Sequence, residues 1–107
     1  MPGSKFRVVV SALAEDDLYE IEDFWRERGE AWRGEKYFRD LHRAAVSSLS
    51  DRTGARRGRL LKDTMNPNAR SILAFGVYRI IYHIDEDAGI VNVLRFWHAH
   101  RDDPPLG

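Results

Sequence analysis

The hydrophobic positions of this chain change their spacing along its length, and the first change separates a strand from a helix. Residues 6–10, Phe-Arg-Val-Val-Val, are a short run of β-type residues that ends at Ser11, a residue type favoured at helix N-caps. Beyond it the apolar side chains return at helical spacing, with Leu18 and Ile21 on one stripe. The pattern therefore predicts a strand over 6–10 and a helix over about 12–28.

A second amphipathic helix is predicted directly after Gly29, which is a typical helix stop. Between residues 31 and 49, apolar side chains that include Phe38 and Leu41 fall on one face, and the opposite face is charged. The short connection makes the two helices antiparallel neighbours. Their apolar stripes have to be buried against another layer, and the rest of the chain offers a sheet.

The second half of the chain has the alternation and the turn residues of β-strands. Residues 59–62 predict a brief strand, 65–68 a turn and 70–75 a further strand. Residues 77–82 and 90–96 flank an acidic turn, which predicts an antiparallel hairpin. The predicted order is β-α-α-β-β-β, an α+β fold in which a helical hairpin packs on a largely antiparallel sheet.

Composition narrows the class of protein. The 107 residues, 1–107, are expected to form one domain with a modest core. The chain has no cysteine, which excludes disulfides, thiolate metal sites and cysteine nucleophiles. No apolar run approaches the roughly 20 residues that span a bilayer, and no export signal is recognisable. We therefore expect a cytoplasmic protein without membrane association.

The formal net charge is zero, from 17 basic and 17 acidic residues. Proteins that hold RNA through its backbone are usually basic overall, so the balance favours a protein partner. One segment nevertheless concentrates bases without an intervening acid, at Arg52, Arg56, Arg57, Arg59 and Lys62. This basic segment is either a solvated loop or a docking surface for an anionic partner.

The last predicted strand ends in a cluster of cationic and titratable residues, Trp97-His98-Ala99-His100-Arg101. In an extended strand His98 and His100 share one side, with Arg101 beside them. A His-x-His pair can bind zinc, but no third ligand is evident, so neither a metal nor another cofactor is predicted. Arg79 and Arg95 lie between apolar neighbours, where an arginine either pairs with a carboxylate or an aromatic ring, or contacts a partner.

Four features of the chain occur together in one known superfamily. They are the β-α-α-β-β-β order, Ala-x-x-Asp-Leu-x-x-Ile in the first helix, Tyr-Arg-Ile-Ile-Tyr over 78–82, and Val-Leu-Arg-x-x-His-x-x-Arg-Asp over 93–102. From Phe6 to Asp103 the chain thus resembles the ParE/RelE superfamily of bacterial toxins. These are the toxin halves of type II toxin–antitoxin modules, so the resemblance implies a RelE/ParE-like fold and an inhibitory antitoxin.

The RelE-like branch consists of ribosome-dependent mRNA endoribonucleases, and the resemblance implies candidate catalytic residues for that chemistry. Arg70 and Arg79 occupy two of its basic positions, and His98 and Arg101 are candidates for proton transfer and phosphate binding. Ile72 occupies another basic position, and the tail after Arg101 contains no tyrosine. About half of the nuclease set is present, which makes this activity the alternative function.

The ParE-like branch is the closer match. Its Leu-Arg-x-x-His-x-Arg-Arg-Asp phrase resembles residues 94–102, with His100 in place of the first arginine of the pair. The resemblance implies a toxin that binds and poisons DNA gyrase and is not an enzyme. The target-binding candidates are Arg95, Trp97, His98, His100 and Arg101.

The same resemblance implies a ParD-like antitoxin, which wraps a segment that orders on binding around the toxin in a hetero-oligomer. The antitoxin-binding candidates are an apolar groove along the helical hairpin and part of the basic segment: Trp25, Trp32, Phe38, Arg56, Arg57 and Arg59. We expect an acidic antitoxin tail to meet the basic segment. A third possibility is a non-toxic relic that retains antitoxin binding.

Overall fold

The computed structural model of the protein describes residues 5–62, 66 and 68–101. In chain order, the elements of this part are β1 (Arg7–Val10), α1 (Ala12–Glu27), α2 (Ala31–Ser50), α3 (Arg52–Arg56), β2 (Arg59–Leu60), β3 (Arg70–Ala74), β4 (Tyr78–Asp85) and β5 (Ile90–His98). The predicted α+β arrangement, with a helical hairpin on a largely antiparallel sheet, is confirmed.

Helix α1 begins and ends where its sequence predicts. The Ser11 Oγ accepts a hydrogen bond from the Ala14 N–H at 3.0 Å and donates one to the Leu94 carbonyl at 3.2 Å. The N-cap therefore also ties the helix to β5. Gly29 follows the last turn with φ +77°, a left-handed conformation that glycine adopts without a Cβ penalty.

The two long helices approach each other closely at Gly34, which is buried in α2. A Cβ at this position would lie 2.7 Å from the Glu22 carbonyl oxygen of α1. The missing side chain thus lets the two backbones pack together. Within the described residues, neither helix is long and apolar enough to cross a membrane.

The segment after α2 corrects one sequence prediction. The sequence predicts a basic loop, but residues 52–56 form the short helix α3. Asp51 caps it, because its Oδ2 accepts a hydrogen bond from the Gly54 N–H at 2.8 Å. A five-residue helix is too short to show a hydrophobic period. The predicted strand over 59–62 is limited to β2, and the predicted turn over 65–68 lies largely outside the described residues.

The sheet has the strand order β1-β5-β4-β3-β2. β1 pairs parallel with β5, and all other neighbours are antiparallel. The predicted hairpin is the β4–β5 pair. A β-bulge interrupts it, since Ile81 lies opposite Arg95 and Tyr82 opposite Val93, which leaves Leu94 as the extra residue.

The bulge decides which side chains face the helices. Val93 before it and Phe96 after it both belong to the main core, between the helical hairpin and the sheet. Arg95 and Trp97 consequently point toward the opposite face. There Trp97 packs with Ile81 in a second, smaller core.

Candidate functional site

A pocket of about 310 Å³ lies between α1 and the end of β5. We call it the α1–β5 pocket. Its lining residues come from α1, β4, β5 and the turn that follows: Asp17, Glu20, Ile21, Phe24, Tyr78, Phe96, His98 and Arg101. Two of the predicted target-binding residues, His98 and Arg101, therefore border a cavity with an aromatic and aliphatic lining.

Asp17 and Arg95 form a buried ion pair at the edge of this pocket. The two Asp17 oxygens accept hydrogen bonds from Arg95 Nε at 2.7 Å and from Arg95 Nη2 at 2.9 Å. One of them also accepts the Phe96 N–H at 3.0 Å, beyond the stretch of β5 that pairs with β1. The hydrogen bond to Asp17 raises the pKa of Arg95. Asp17 thus accepts the backbone hydrogen bond that a neighbouring strand would otherwise accept from β5 at this position.

Two guanidinium groups lie over the Trp97 ring. Arg101 Cζ lies 3.8 Å from the ring centroid of Trp97, and Arg95 Cζ lies 4.7 Å from it. The Trp97 residue is 7% exposed, and the Arg95 side chain 14%. The prediction that both residues contact a target does not fit this geometry, because Arg95 is held by Asp17 and Trp97 is buried. His98, His100 and Arg101 remain at the surface.

The two histidines lie together, although β5 ends at His98 and His100 belongs to the turn that follows rather than to an extended strand. The His100 N–H donates a hydrogen bond to His98 Nδ1 at 3.1 Å, and the ring centroids are 5.4 Å apart. The His98 ring meets the edge of Tyr78, whose hydroxyl accepts a hydrogen bond from Trp25 Nε1 at 3.2 Å. Burial raises the pKa of the Tyr78 hydroxyl above its ordinary value.

The four nuclease candidates do not converge on one point. Arg70 Nη1 donates to the carbonyls of Arg56 and Gly58, at 3.1 Å and 2.8 Å, and so supports the chain before β2. Arg79 lies beside Trp97 on the face away from the helices, whereas His98 lies opposite Tyr78 on the helical face. Only His98 and Arg101 share the α1–β5 pocket.

Of the antitoxin candidates on the helices, Trp25 and Trp32 lie near each other, because the Arg33 guanidinium lies 5.0 Å from the Trp25 ring centroid and 5.2 Å from the Trp32 ring centroid. Trp25 stacks on Tyr37 with centroids 5.8 Å apart, behind the α1–β5 pocket. Trp32 is 60% exposed and lines a different pocket of about 280 Å³ that includes Phe75. Phe38 packs against Tyr19. Trp25 and Trp32 are thus linked through Arg33 and Tyr37, whereas Phe38 has other neighbours.

Part of the basic segment is neutralised by an acid from the β4–β5 turn. Arg56 makes two hydrogen bonds to Glu86, at 2.9 Å and 2.7 Å, and they lower the pKa of that carboxyl. The Arg52 guanidinium lies over the Phe6 ring, 4.2 Å from its centroid. Arg57 and Arg59 are exposed. The sequence could not show this, because Glu86 is distant along the chain.

Sequence comparison identifies the family. A model of the ParE toxin of the type II toxin–antitoxin system parDE matches residues 8–103. The chain belongs to the ParE toxin family. Among curated protein sequences, none matches it significantly.

Several solved structures share the fold of this ParE-family chain. The RelBE2 toxin–antitoxin complex from Mycobacterium tuberculosis contains a chain of 22% identity and TM-score 0.67, with 91% of this chain and 94% of that chain covered. The chromosomal ParDE system from P. aeruginosa gives 17% identity and TM-score 0.71, with 87% and 95% covered. At such identities the likeness shows the fold alone, which confirms the predicted RelE/ParE-like architecture.

Two residues of the ParE-family site were not identified as important from the sequence. Asp17 lies on the apolar stripe of α1 with Ala14, Leu18 and Ile21, and an acid on a buried stripe needs a partner. The place of Asp17 on the apolar stripe is therefore the feature of the sequence that indicates its ion pair. Tyr78 had no comparable indication, because its neighbours Trp25 and His98 are brought to it by the fold. Within the described residues, no three metal-binding side chains gather in a group that could hold an ion.

Proposed function

We propose that this ParE-family toxin acts by binding DNA gyrase, without catalytic activity of its own, and that a ParD-like antitoxin neutralises it in the cytoplasm. The observation that carries the proposal is the family match over residues 8–103. The dispersal of the nuclease candidates supports it further. A nuclease needs its proton-transfer group and its phosphate-binding cations around one scissile bond, and Arg70 and Arg79 lie away from His98.

The target surface that we propose is the rim of the α1–β5 pocket. His98, His100 and Arg101 offer donors there, and the cavity beneath can accept an apolar side chain of the target. Purified His98→Ala and Arg101→Ala toxins are expected to lose at least about tenfold in gyrase affinity, the effect of an anchor worth about 1.4 kcal/mol. His42→Ala, on the exposed side of α2, is the matched control.

Induced expression without antitoxin, followed by separate pulse-labelling of DNA and protein synthesis, tests the choice of target. Early loss of DNA synthesis with an SOS response, while translation continues, is the expected result. Early loss of translation with cut mRNA would instead assign the RelE-like activity, and His98 would be the first residue to mutate. Normal growth despite folded, abundant toxin would identify a relic.

For the antitoxin we propose a surface that combines the exposed Trp32, next to Phe75, with Arg57 and Arg59 of the basic segment. The two solved structures named above are of toxin–antitoxin systems, which supports such a partner. Reversing charge at Arg57 and Arg59 should weaken antitoxin binding and reduce its salt dependence. Affinity and salt dependence that match those of Arg39→Glu, an exposed arginine of α2, would contradict this assignment.

A further inference from the structure

Strand β5 has a neighbouring strand along only part of its outer edge. β1 pairs in parallel with residues 90–93, and the chain then turns into α1. None of the described strands continues along this edge beside residues 95–98, which we call the open β5 edge. This edge borders the α1–β5 pocket, because Phe96 and His98 line that pocket.

Alternate residues of β5 direct their backbone groups toward the open β5 edge. The Ala99 N–H donates a hydrogen bond to the Val77 carbonyl at 2.8 Å, so the odd-numbered residues here are those bonded toward β4. Phe96 and His98 therefore direct their N–H and C=O groups away from β4. The hydrogen bond from the Phe96 N–H to Asp17 agrees with this geometry.

Two of these four backbone groups are engaged within the chain and two are not. The Phe96 N–H donates to Asp17, and the His98 carbonyl accepts the Arg101 N–H at 3.1 Å. In the described part of the chain, the Phe96 carbonyl and the His98 N–H have no hydrogen-bond partner. Phe96 is buried and His98 half-buried, so these unpaired groups cost free energy that hydrogen bonds to a docked partner would remove.

The two unpaired groups match the hydrogen-bond pattern of a parallel strand. In such a strand Arg7 of β1 donates to the Gly89 carbonyl, one residue before the residue that it faces. A residue facing Trp97 would likewise donate to the Phe96 carbonyl and accept the His98 N–H. An antiparallel strand would need both backbone groups of one residue, and Phe96 and His98 each have one group engaged already.

The pocket determines which side chain this added strand needs. Side chains alternate along a strand, so the next residue, which faces His98, points to the helical face and into the α1–β5 pocket. Ile21, Phe24 and Tyr78 line the pocket there, and Phe24 is 42% exposed. The fitting segment therefore carries a large apolar residue at this position.

We propose that an extended segment of gyrase binds the open β5 edge as a parallel strand, with an apolar side chain in the α1–β5 pocket. The identity of the partner rests on the proposed function, because the rim of this pocket is the target surface proposed above. The strand geometry rests on the unpaired Phe96 carbonyl and His98 N–H.

The test removes the backbone donor separately from the side chain. His98→Pro lacks the N–H and His98→Ala keeps it, whereas both lack the imidazole. Proline is tolerated at strand edges where the N–H points outward, as it does at His98. Val8→Pro is the matched control on the other edge of the sheet. The N–H groups of Arg7 and Ser11 donate to β5, so that of Val8 points outward.

Gyrase affinity is measured with the full chain of each variant, after circular dichroism has shown that it is folded. We expect His98→Pro to bind at least about fivefold more weakly than His98→Ala, the effect of one lost hydrogen bond. Val8→Pro should stay within about twofold of wild type, because surface substitutions away from an interface change little.

Hydrogen exchange of the wild-type toxin provides a second measurement, which does not depend on the folding of a variant. Gyrase should slow exchange of the His98 amide at least about tenfold and leave the Val8 amide unchanged. Exchange of the Val8 amide is the internal control, because its N–H also points outward from the sheet.

The outcomes separate this inference from the proposed function. If wild type binds gyrase but His98→Pro matches His98→Ala, or the His98 amide exchanges at an unchanged rate, the strand geometry is wrong and the proposed function stands. If wild type does not bind gyrase, both are wrong. An equal loss in Val8→Pro would overturn the strand geometry, as would protection of the His98 amide by the antitoxin and not by gyrase.

Discussion

At the residue scale, Gly58 leaves space beside its backbone that a neighbouring side chain fills. A Cβ there would overlap the Tyr82 hydroxyl, which donates to the Ala55 carbonyl, and would lie 2.7 Å from Tyr82 Cζ. Since Tyr82 is fully buried, it cannot move aside. We predict that Gly58→Ala lowers the free energy of unfolding by about 2–3 kcal/mol, measured by urea denaturation.

A glycine in open space provides the comparison for Gly58. In Gly29→Ala the added methyl meets no atom within 4 Å and bears only the cost of a left-handed φ of +77°. Its expected loss is about 1 kcal/mol. Equal losses in the two variants would show that overlap with Tyr82 is not the cause.

Phe75 is a non-glycine residue with positive φ, +55°, in the turn between β3 and β4. It is also 53% exposed, so little packing offsets the strain. We predict that Phe75→Asn is more stable than Phe75→Ala by about 1 kcal/mol, because both lose the ring and asparagine tolerates the left-handed region. Thermal melts of the two variants measure the difference. Identical melting temperatures would show that the turn relaxes without strain.

At the scale of elements, the Asp17–Arg95 pair joins α1 to the edge of β5. We predict that Asp17→Asn costs about 3 kcal/mol of stability, since it leaves the buried guanidinium without a counter-charge. Asp23→Asn is the matched control on the same helix. Its partner Arg26 is 53% exposed, so the expected loss is under about 0.5 kcal/mol. Similar urea midpoints for both variants would contradict a structural role for the buried pair.

Helix boundaries were predictable where local chemistry determines them. Ser11 and Gly29 bracket α1 in the structure as in the sequence. The short helix α3 was missed, because one buried residue, Ala55, makes no period. Leu94 was also misjudged as an ordinary strand residue. The bulge there shifts alternation by one, so Arg95 and Trp97 lie on the face that simple alternation does not give them.

At the scale of the whole molecule, two buried tyrosines link stability to alkaline pH. Burial raises the pKa of Tyr78 and of Tyr82 above the ordinary value of 10.0. The pKa of each tyrosine is higher in the folded protein than in the unfolded chain. The contribution of its protonated hydroxyl to the free energy of unfolding is therefore complete below about pH 10 and is lost as the pH rises through the folded-state pKa. We predict that the melting temperature falls above about pH 10. The tyrosinate absorbance of the folded protein should appear at a higher pH than that of the unfolded chain.

Variants separate this tyrosine effect from general alkaline damage. A protein carrying Tyr78→Phe should show a shallower alkaline fall, whereas Tyr19→Phe, at an exposed residue, should match wild type. If all tyrosines of the folded protein ionised with the ordinary tyrosine pKa, before the protein unfolded, the burial argument for Tyr78 and Tyr82 would be wrong.

The sequence by itself determined what depends on neighbours along the chain. Hydrophobic period, the Ser11 cap and turn residues specify the helical hairpin, the strands and their order, and ordered motifs indicate the toxin superfamily. The tertiary structure decided which charges remain available, because pairing joins residues far apart in sequence. Arg95 meets Asp17 and Arg56 meets Glu86, so each of these cations has an acidic partner within the chain.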